Sequence, residues 1–461
     1  MQRVTNKKAN QRAGDKVKVI GWVDSVRSHG QIVFVDLRDR SGLMQVVINP
    51  DKIEEVERIR KESVISVKGK IKERPDSMIN EDIVTGKIEL KAESVEIVSE
   101  SKTPPFEITD DGKEVNEELR MKYRYLDLRR ERMKNNLIFR HRAAHFLRNF
   151  LDQRDFVEVE TPILTKSTPE GARDFLVPSR NHPGSFYALP QSPQQYKQLL
   201  MVGGLEKYFQ FARCFRDEDV RADRQAEFTQ LDIEISFMSE EEFLDMIEEM
   251  FIELVENLLP EKKIKEKPFP RISHREAMDK WGTDRPDLRE DKNDKDELSF
   301  AFVVDFPMFE ETETGLKCEH HPFTRPKVDD SEEIKKNPEK IRARQYDLVL
   351  NGEEIGGGSF RTHDVEMLKS VFEVLGHDEE EIEKKFGHLL EAFNYGPPPH
   401  GGIAFGFERI LMVLSGEENI REVMAFPKTG DGRGLMMNTP SQVDEDQLNE
   451  LNLKLKSDGE E

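Results

Sequence analysis

The sequence has little of what membrane proteins, disulfide-stabilised proteins and phosphate-loop proteins need. Its 461 residues contain no apolar run near 18 residues, and MQRVTNKKANQRAGDK at the start has no signal-peptide pattern. Two cysteines, Cys214 and Cys318, are too few for a disulfide framework or a structural zinc site. Neither GxxxxGK nor a dinucleotide-binding fingerprint occurs. We therefore expect a cytoplasmic protein of two or three domains with no membrane association.

Positive charge is also scarce, since the formal net charge is −22. Nonspecific nucleic-acid binding depends on many Lys and Arg side chains that neutralise phosphates, so any RNA contact must be local. Residues 1–20 are one local cationic region, with six Lys or Arg against Asp15. Residues 441–461 hold seven acids against two lysines, which indicates a solvated helix and a frayed acidic tail.

The most informative stretch of the sequence is residues 207–237, KYFQFARCFRDEDVRADRQAEFTQLDIEISF. Both ends of this stretch alternate apolar and polar residues, which predicts two antiparallel strands joined by a charged loop. The second strand then places Gln230, Asp232 and Glu234 on the face opposite its apolar residues. Carboxylates and an amide beside an Arg-rich loop suit a ligand that carries both phosphate and amine. An amphipathic hairpin with a solvated outer face is the alternative.

The hairpin contains Phe-Arg-x-Glu, formed by Phe215, Arg216 and Glu218, followed by Phe228. This pattern resembles the second signature motif of class II aminoacyl-tRNA synthetases, and RDEDVRADRQAEFTQLD is most similar to the bacterial aspartyl branch. The resemblance implies that the Arg holds the α-phosphate of ATP, that the Glu meets the adenine amine or the tRNA acceptor end, and that the Phe stacks on adenine. It also assigns to the ATP site Asp217 and Gln225.

Residues 401–416, GGIAFGFERILMVLSG, are similar to the third motif of the same family, a Gly-rich strand that leads into a helix. The resemblance implies that Arg409 meets the γ-phosphate and that Gly406, Phe407 and Glu408 belong to the ATP site. A buried strand and core helix with an incidental Arg is the alternative. An Arg between Phe407 and Leu411 on an apolar element would be costly unless paired, which favours a ligand.

Residues 346–364, YDLVLNGEEIGGGSFRTHD, contain two carboxylates seven positions apart, Asp347 and Glu354. Asn351-Gly352 is a hairpin-turn signal, and such a turn can return both carboxylates to one side. Hard carboxylate oxygens suit Mg²⁺ beside ATP phosphates. The GGG run allows a ligand to approach the backbone, and Arg361 follows it. By resemblance Arg361 grips the side chain of aspartate, as a guanidinium binds a carboxylate bidentately.

Other residues are assigned to aspartate by the same resemblance. STPEGARDF, residues 167–175, suits a mobile loop over a site, in which Glu170 would contact the substrate's ammonium group. QSPQQYKQLL offers Lys197 for the substrate carboxylate, and CEHHPFT contains a histidine loop in which His320 helps to enclose the aspartate. The remaining aspartate-binding residues implied are Gln191, Gln194, Asp232 and Arg216.

Five short strands in residues 16–98 predict a small barrel such as the oligonucleotide-binding (OB) fold, although other small barrels compete. GWVDSVRSHGQIVFVDLRDRSGLMQVV resembles the anticodon-binding pattern of class IIb synthetases. The resemblance makes Phe34 a base-stacking residue and Gln45 a base-edge reader. Burial of Phe34 in the barrel core is the alternative. The pair His29-Gly30 is associated in this family with enzymes that also charge tRNA(Asn).

A predicted helix over residues 133–155 leads into the strand VEVETPIL, which contains Pro162. This resembles the first class II motif and implies a homodimer interface. The expected fold is α+β: an OB barrel at residues 1–100, a hinge at 101–130, a class II catalytic domain with an antiparallel sheet at 131–440, and the acidic tail at 441–461. Bacterial aspartyl enzymes carry an inserted domain that is reduced here to a charged linker near residues 286–298.

The resemblance implies activation of L-aspartate by ATP and Mg²⁺, then transfer to tRNA(Asp), with tRNA(Asn) as a second acceptor on the His29 hypothesis. Arg216 and Arg409 are the expected catalytic residues. Two other hypotheses stay open. An asparaginyl enzyme is disfavoured by the two cations, Lys197 and Arg361. A non-catalytic RNA-binding relative is disfavoured because every ATP- and metal-binding position is filled.

Overall fold

A computed structural model describes residues 1–167, 172–313 and 315–456, without the side chains of residues 54 and 55. The chain forms two compact units. The first comprises residues 1–116 and 129–131, and the second comprises residues 117–128 and 132–461. None of the helices in the described ranges is long and apolar enough to cross a membrane.

The first unit is a closed five-stranded barrel with the strand order β1-β2-β3-β5-β4. The strands are β1 (Lys16–His29), β2 (Ile32–Asp39), β3 (Gly42–Ile48), β4 (Val64–Glu73) and β5 (Ile88–Ser99). Alternate residues fill the interior, as the two-residue period requires, for example Val33, Val35 and Leu37 on β2. A short helix, α1 (Asn6–Ala9), precedes the barrel, and its residue Ala9 belongs to the barrel core. The OB-fold prediction is confirmed.

The second unit is built on an eight-stranded sheet with the order β12-β14-β17-β18-β19-β10-β9-β6. Its strands are β6 (Val157–Glu158), β9 (Lys207–Phe215), β10 (Glu227–Ser236), β12 (Arg271–Ser273), β14 (Phe300–Val304), β17 (Gln345–Leu350), β18 (Glu353–Phe360) and β19 (His400–Gly406). The central pairs are antiparallel, and the outermost pair at each edge is parallel. Three two-stranded sheets are formed by β7 (Leu176–Pro178) with β8 (Phe186–Ala188), β11 (Lys263–Ile264) with β13 (Glu297–Leu298), and β15 (Phe309–Thr312) with β16 (Gly315–Cys318).

Helices cover this sheet and enclose its hydrophobic core. They are α2 (Glu117–Lys122), α3 (Arg124–Asp127), α4 (Glu131–Asp152), α5 (Gln194–Val202), α6 (Glu240–Leu258), α7 (His274–Trp281), α8 (Ser331–Lys336), α9 (Val365–Val374), α10 (Glu379–Phe393), α11 (Phe407–Ser415) and α12 (Glu445–Glu450). Apolar residues of α4, α6 and α11 pack against Leu231, Ile233 and Ile235 of β10. The opposite face of β10 is thereby left for its polar residues.

Local signals explain several element boundaries. Helix α6 begins with the capping box predicted by its sequence: Ser239 Oγ accepts from the backbone N–H of Glu242, and the Ser239 N–H donates to the Glu242 carboxylate. The turn between β17 and β18 consists of Asn351 and Gly352, with φ of 53° and 84°. Two successive positive φ values are typical of the type I′ hairpin turn, which the Asn-Gly pair favours.

Two segments differ from the expectation. The strand expected in VEVETPIL is reduced to Val157–Glu158, and it ends before Pro162, which has no N–H to donate to a neighbouring strand. The expected hinge is not irregular throughout, because α2 and α3 lie in its second half. Buried ion pairs stabilise them: Arg120 pairs with Asp127 and Glu422, and Arg124 pairs with Asp127.

Candidate nucleotide and amino acid site

A cleft opens on the polar face of the sheet, where β10 lies beside β19 and the loop after β9 folds over both. Eight of the residues predicted to bind ATP line this cleft: Arg216, Glu218, Gln225, Phe228, Glu354, Gly406, Glu408 and Arg409. They come from the 207–237 hairpin, from β18 and from the start of α11. The fold therefore brings the second and third predicted motifs together in one place.

Two arginines approach the cleft from different elements. The Arg216 guanidinium lies 5.2 Å from the centre of the Phe228 ring, a cation–π distance. Arg409 lies in the first turn of α11, where it donates to the Glu354 carbonyl and pairs with Asp223 at 3.1 Å. Its Nε is buried and has no hydrogen-bond partner in the described structure. The N-terminus of a helix also attracts anions. This end of the cleft is therefore suited to bind phosphate groups.

Three of the residues predicted to bind ATP are not available to it in this structure, because two lie outside the cleft lining and the third is already bonded to other parts of the fold. Asp217 is about half exposed and lies 3.5 Å from Arg173, away from the cleft lining. The Phe407 ring is buried in the core against Phe211, because it faces the opposite side of α11. Glu408 lines the cleft, but its carboxylate accepts from Arg140 and from the backbone N–H of Thr229. The carboxylate of Glu408 therefore links elements of the fold.

The predicted metal-binding carboxylates lie on neighbouring strands around Gly357. A Cβ atom at Gly357 would lie 2.8 Å from Asp347 Oδ1 and 3.3 Å from Glu354 Oε1, so the glycine makes room for both. Burial raises the pKa of Asp347, and the charge of Glu354 raises it further. Two such carboxylates suit Mg²⁺, which is commonly held by one or two carboxylates plus phosphates. The described residues contain no group of three or more metal-ligating side chains.

A buried group of four charges continues from the cleft along β10. Lys197 Nζ of α5 lies 2.6 Å from Asp232 Oδ1 and 3.3 Å from Glu234 Oε2. The Arg361 guanidinium binds Glu234 bidentately, at 3.0 and 3.1 Å. All four side chains are at most 2% exposed. Gln230, two positions before Asp232 on the same face, lines the cleft, so the two regions are contiguous.

The two carboxylates of this group respond differently to their surroundings. Burial alone would raise the pKa of Glu234, but the charges of Arg361 and Lys197 hold it at about 2. Burial raises the pKa of Asp232, and Lys197 opposes this only in part. Asp232 Oδ2 is buried without a hydrogen-bond partner among the described residues. An acceptor left in this way suits a donor such as the ammonium group of an amino acid.

The other residues predicted to bind aspartate have varied positions. Gln194 is buried at the start of α5, three positions before Lys197 on the same helix. Gln191 is buried and holds the chain before β7, with hydrogen bonds to the backbone of Ala172 and to Asp174. His320 is exposed, with its ring 4.4 Å from that of His321. Glu170 lies outside the described residues.

Several neighbours of Arg361 were not among the predicted site residues. Arg361 Nη1 lies 2.5 Å from His321 Nε2 and 2.5 Å from Ser359 Oγ. Glu234 was placed on the correct face by the strand period, but its pairing with Arg361 was not predicted. His321 could have been found only by weighing both histidines of His320-His321 equally, because that segment has no period.

The barrel residues predicted to bind tRNA all lie outside the barrel core. Phe34 is half-buried on the outward face of β2, because Val33 and Val35 fill the interior. Gln45 lies on the outward face of the adjacent β3, opposite Asp36 in the strand register. His29 is exposed at the end of β1, next to Gly30 with φ of 59°. The alternative in which Phe34 is a core residue is therefore wrong.

Comparison with known families agrees with this architecture. Residues 116–430 match the class II tRNA synthetases (D, K and N), and residues 17–98 match the OB-fold nucleic acid binding domain. The chain belongs to the class II tRNA synthetases of this D, K and N group. It is 42% identical to an aspartate–tRNA(Asp/Asn) ligase of Natranaerobius thermophilus, over 96% of this chain and 97% of that one. It is 43% identical to the ligase of the same name of Halothermothrix orenii, over 97% of each chain.

This chain is shorter than those relatives. The alignment with the N. thermophilus ligase extends over 570 residues, whereas this chain has 461, so the relative contains a stretch that is missing here. This agrees with the loss of an inserted domain expected from the sequence. The position of the loss, near residues 286–298, stays a prediction.

Solved structures support the fold. The asparaginyl-tRNA synthetase from Pyrococcus horikoshii, complexed with asparaginyl-adenylate, aligns with a TM-score of 0.75 at 23% identity, covering 93% of this chain and 98% of that one. The aspartyl-tRNA synthetase from Entamoeba histolytica aligns with a TM-score of 0.71 at 24% identity, covering 90% and 89%.

Proposed function

We propose that the protein is an aspartate–tRNA ligase, which activates L-aspartate with ATP and transfers it to the 3′-terminal adenosine of tRNA(Asp). The observation that carries this proposal is the buried pocket of Lys197, Arg361, Asp232 and Glu234, contiguous with the arginine-lined cleft. The cations suit the carboxylates of aspartate, and Asp232 suits its ammonium group. The names of the bacterial relatives support the same activity.

In the first step, an oxygen of the substrate α-carboxylate attacks the α-phosphorus of ATP. The bond from that phosphorus to the bridging oxygen breaks, so that aspartyl-adenylate and diphosphate form. Arg216 stabilises charge on the α-phosphate, Arg409 stabilises charge at the departing γ end, and Phe228 stacks on adenine. Catalysis here consists of positioning and charge stabilisation, with no nucleophile supplied by the protein.

Asp347 and Glu354 are the residues that would hold Mg²⁺. When bound, the ion supplies positive charge beside the ATP phosphates. Two observations indicate that these residues fit Mg²⁺. Both carboxylates lie beside Gly357, and the charge of Glu354 raises the pKa of Asp347. A divalent cation held by these two carboxylates would relieve this repulsion and favour their ionised forms.

Around the amino acid, Arg361 and Lys197 bind the side-chain carboxylate, and Asp232 and Gln194 bind the ammonium group. We assign Gln191 and His320 to the enclosing shell of the same pocket, and Glu170, which lies outside the described residues, to contact with the ammonium group. In the second step, the 3′-hydroxyl of the terminal adenosine attacks the carbonyl carbon of the adenylate and displaces AMP. An ester of aspartate and tRNA results.

The barrel supplies the anticodon contact in this proposal. Phe34 and Gln45 lie on the outward faces of adjacent strands, where a splayed base can stack and pair with a side-chain amide. His29 and Gly30 at the end of β1 are the basis for proposing tRNA(Asn) as a second acceptor. The relatives named aspartate–tRNA(Asp/Asn) ligase support that proposal.

We also propose a cytoplasmic homodimer. Apolar side chains that the single chain leaves exposed support the dimer: Ile138 of α4, Val157 of β6, and Ile163 and Leu164 after it. Burial of these side chains against a second copy would remove their apolar surface from water. Cys214 and Cys318 are both in the thiol form, which agrees with a reducing compartment.

The proposal is tested by charging two purified transcripts, tRNA(Asp) and tRNA(Asn), with each of aspartate and asparagine. Charging of tRNA(Asp) with aspartate is the expected result, and charging of both transcripts would support the His29 hypothesis. Charging with asparagine alone would establish an asparaginyl enzyme instead. Charging of neither, with thermal unfolding insensitive to ATP and Mg²⁺, would favour a non-catalytic relative.

The cleft is tested by Arg216→Ala, which should abolish aspartate-dependent ATP–diphosphate exchange while the circular dichroism spectrum stays unchanged. Arg213→Ala removes a nearby arginine of β9 that pairs with Glu227 and donates to Thr229, and it should retain exchange. Wild-type exchange by Arg216→Ala would refute the role of this arginine.

A further inference from the structure

A chain of buried hydrogen bonds connects the start of β19 with α5. His400 Nδ1 lies 2.8 Å from the carbonyl oxygen of Pro398, and Nε2 of the same ring lies 3.2 Å from Gln198 Nε2. Gln198 Oε1 in turn lies 3.1 Å from Gln194 Nε2. His400, Gln198 and Gln194 are 1%, 0% and 6% exposed. Three polar groups therefore depend on one another for their hydrogen bonds.

The direction of every bond in this chain follows from the carbonyl at its end. A carbonyl only accepts, so His400 Nδ1 must carry a proton. Burial lowers the pKa of His400 to about 4, which leaves the ring neutral at pH 7 and makes Nε2 an acceptor. Gln198 must therefore donate to His400 with its amino group and accept with its oxygen. Gln194 must then donate to Gln198 with its own amino group.

This order leaves the oxygen of Gln194 as the atom available to a ligand. Gln194 Oε1 has no hydrogen-bond partner within the described residues, and Gln194 lies one helical turn before Lys197 of the buried charged group. An oxygen in this position accepts from an N–H donor and repels a carboxylate. If the amide were reversed, its amino group would face the ammonium group of the substrate, and two hydrogen-bond donors would repel each other.

We propose that Gln198 and His400 are positioning residues that fix the amide of Gln194 with its oxygen toward the ammonium group of the amino acid substrate. This inference rests on the proposed function. Neither residue touches the substrate. Their effect is on binding of the amino acid, so the expected consequence of breaking the chain is a higher KM for aspartate with an unchanged KM for ATP.

Two substitutions of Gln198 separate this role from simple packing. Gln198→Met keeps the volume and removes both hydrogen bonds, so Gln194 is released and the KM for aspartate should rise about ten- to a hundredfold, the range for a hydrogen bond to a charged group. Gln198→Glu keeps an acceptor for Gln194. The introduced carboxylate raises the pKa of His400, whose ring can then donate at both nitrogens, from Nδ1 to the Pro398 carbonyl and from Nε2 to that carboxylate.

If this hydrogen-bond chain positions Gln194, the Gln198→Glu variant should bind aspartate better than the Gln198→Met variant at pH 6. A role in packing predicts the reverse order, since it favours an apolar side chain over a buried charge. The groups that face His400 from neighbouring elements are Glu234, Arg361 and His363. They are the same in both variants, so the comparison isolates position 198.

The pH profile gives an independent measurement. In Gln198→Glu, a neutral His400 would set its Nε2 lone pair against the introduced carboxylate, and this repulsion would displace the carboxylate from its bond to Gln194. The KM for aspartate should therefore rise as pH increases through the raised pKa of His400. In the wild type the chain needs a neutral ring, so no such rise is expected between about pH 6 and 9, well above the lowered pKa of His400. Gln195→Met, a matched change of a buried glutamine on the same helix, should leave the KM for aspartate unchanged.

The experiment is amino-acid-dependent ATP–diphosphate exchange by the full-length chain, with folding checked by circular dichroism. A wild-type KM for aspartate in folded Gln198→Met would overturn the inference, and this holds even where Gln198→Glu does not fold. A larger rise in Gln198→Glu than in Gln198→Met at pH 6 would also overturn it. Failure of the proposed function is distinguishable, because the wild type itself would then show no aspartate-dependent exchange.

Discussion

Removal of the Lys197 ammonium group should destabilise the second unit strongly, although Lys197 is also a residue of the proposed substrate pocket. Lys197 is the partner of Asp232 at 2.6 Å, and the other oxygen of Asp232 has no hydrogen bond among the described residues. Glu234 would keep its bidentate bond to Arg361. Lys197→Met therefore isolates one buried carboxylate and leaves the other paired.

The size of the effect follows from the burial of both partners, which are 2% and 0% exposed. Removing one member of a buried ion pair costs about 3–5 kcal/mol, because the remaining charge is left uncompensated. Replacing both members by uncharged groups costs much less, so the double variant Lys197→Met with Asp232→Asn should recover most of the loss.

The loss should also depend on pH. Burial raises the pKa of Asp232, and removal of Lys197 takes away the charge that opposes this rise. A carboxyl whose pKa is higher in the folded than in the unfolded protein stabilises the fold least when pH exceeds the folded value. Both proteins share the same unfolded state, so the deficit of Lys197→Met relative to the wild type should grow as pH rises above the folded pKa of Asp232 in the wild type, which burial already raises above the ordinary value of an aspartate.

Tryptophan fluorescence can follow the second unit alone. The chain has two tryptophans, Trp22 on β1 of the barrel and Trp281 on α7 of the second unit. In a Trp22→Phe background, urea unfolding monitored by Trp281 reports the free energy of unfolding of that unit. A loss below about 1 kcal/mol, or a double variant as unstable as the single one, would refute the role of Lys197 as the compensating charge.

Two further substitutions test other parts of the second unit. Gly357→Ala would force a methyl group between the carboxylates of Asp347 and Glu354; the Mg²⁺ concentration needed for exchange should rise, whereas Gly430→Ala, with open space around its Cβ, should not change it. An unchanged Mg²⁺ requirement in Gly357→Ala would contradict the assignment of the metal site. Ser239→Ala should lower the free energy of unfolding reported by Trp281 by about 1 kcal/mol, the usual contribution of a helix cap, and no change would mean that the cap contributes nothing.

Periodicity predicted the elements that carry the site. The alternation in residues 207–237 indicated both strands of the central hairpin, because a strand with one apolar face must alternate. Asn351-Gly352 indicated the turn that brings Asp347 and Glu354 together, since few residues other than Asn and Gly adopt its dihedral angles readily. Signals of this kind depend on nearest neighbours in the chain, which is why they can be read without a structure.

Contacts between distant segments were harder to predict. Glu234 and Arg361 are 127 positions apart, and no local pattern indicates that they form a bidentate pair. The direction of the Gln194 amide depends on a carbonyl at Pro398, in a distant segment of the chain. Phe407 was assigned to the nucleotide because of its motif, yet the turn of the helix carries its ring into the core.

The pairing of Arg361 with Glu234 means that the protein's own side chains already place a carboxylate where a substrate carboxylate would bind. Two cations and two anions balance one another in this pocket, so Lys197 and Arg361 already have carboxylate partners before the substrate enters. The incoming carboxylate has to share or exchange partners with Glu234. The free energy of binding is then the difference between the ion pair formed with the substrate carboxylate and the ion pair given up with Glu234. Selectivity for the substrate therefore depends on how well its carboxylate fits beside Glu234.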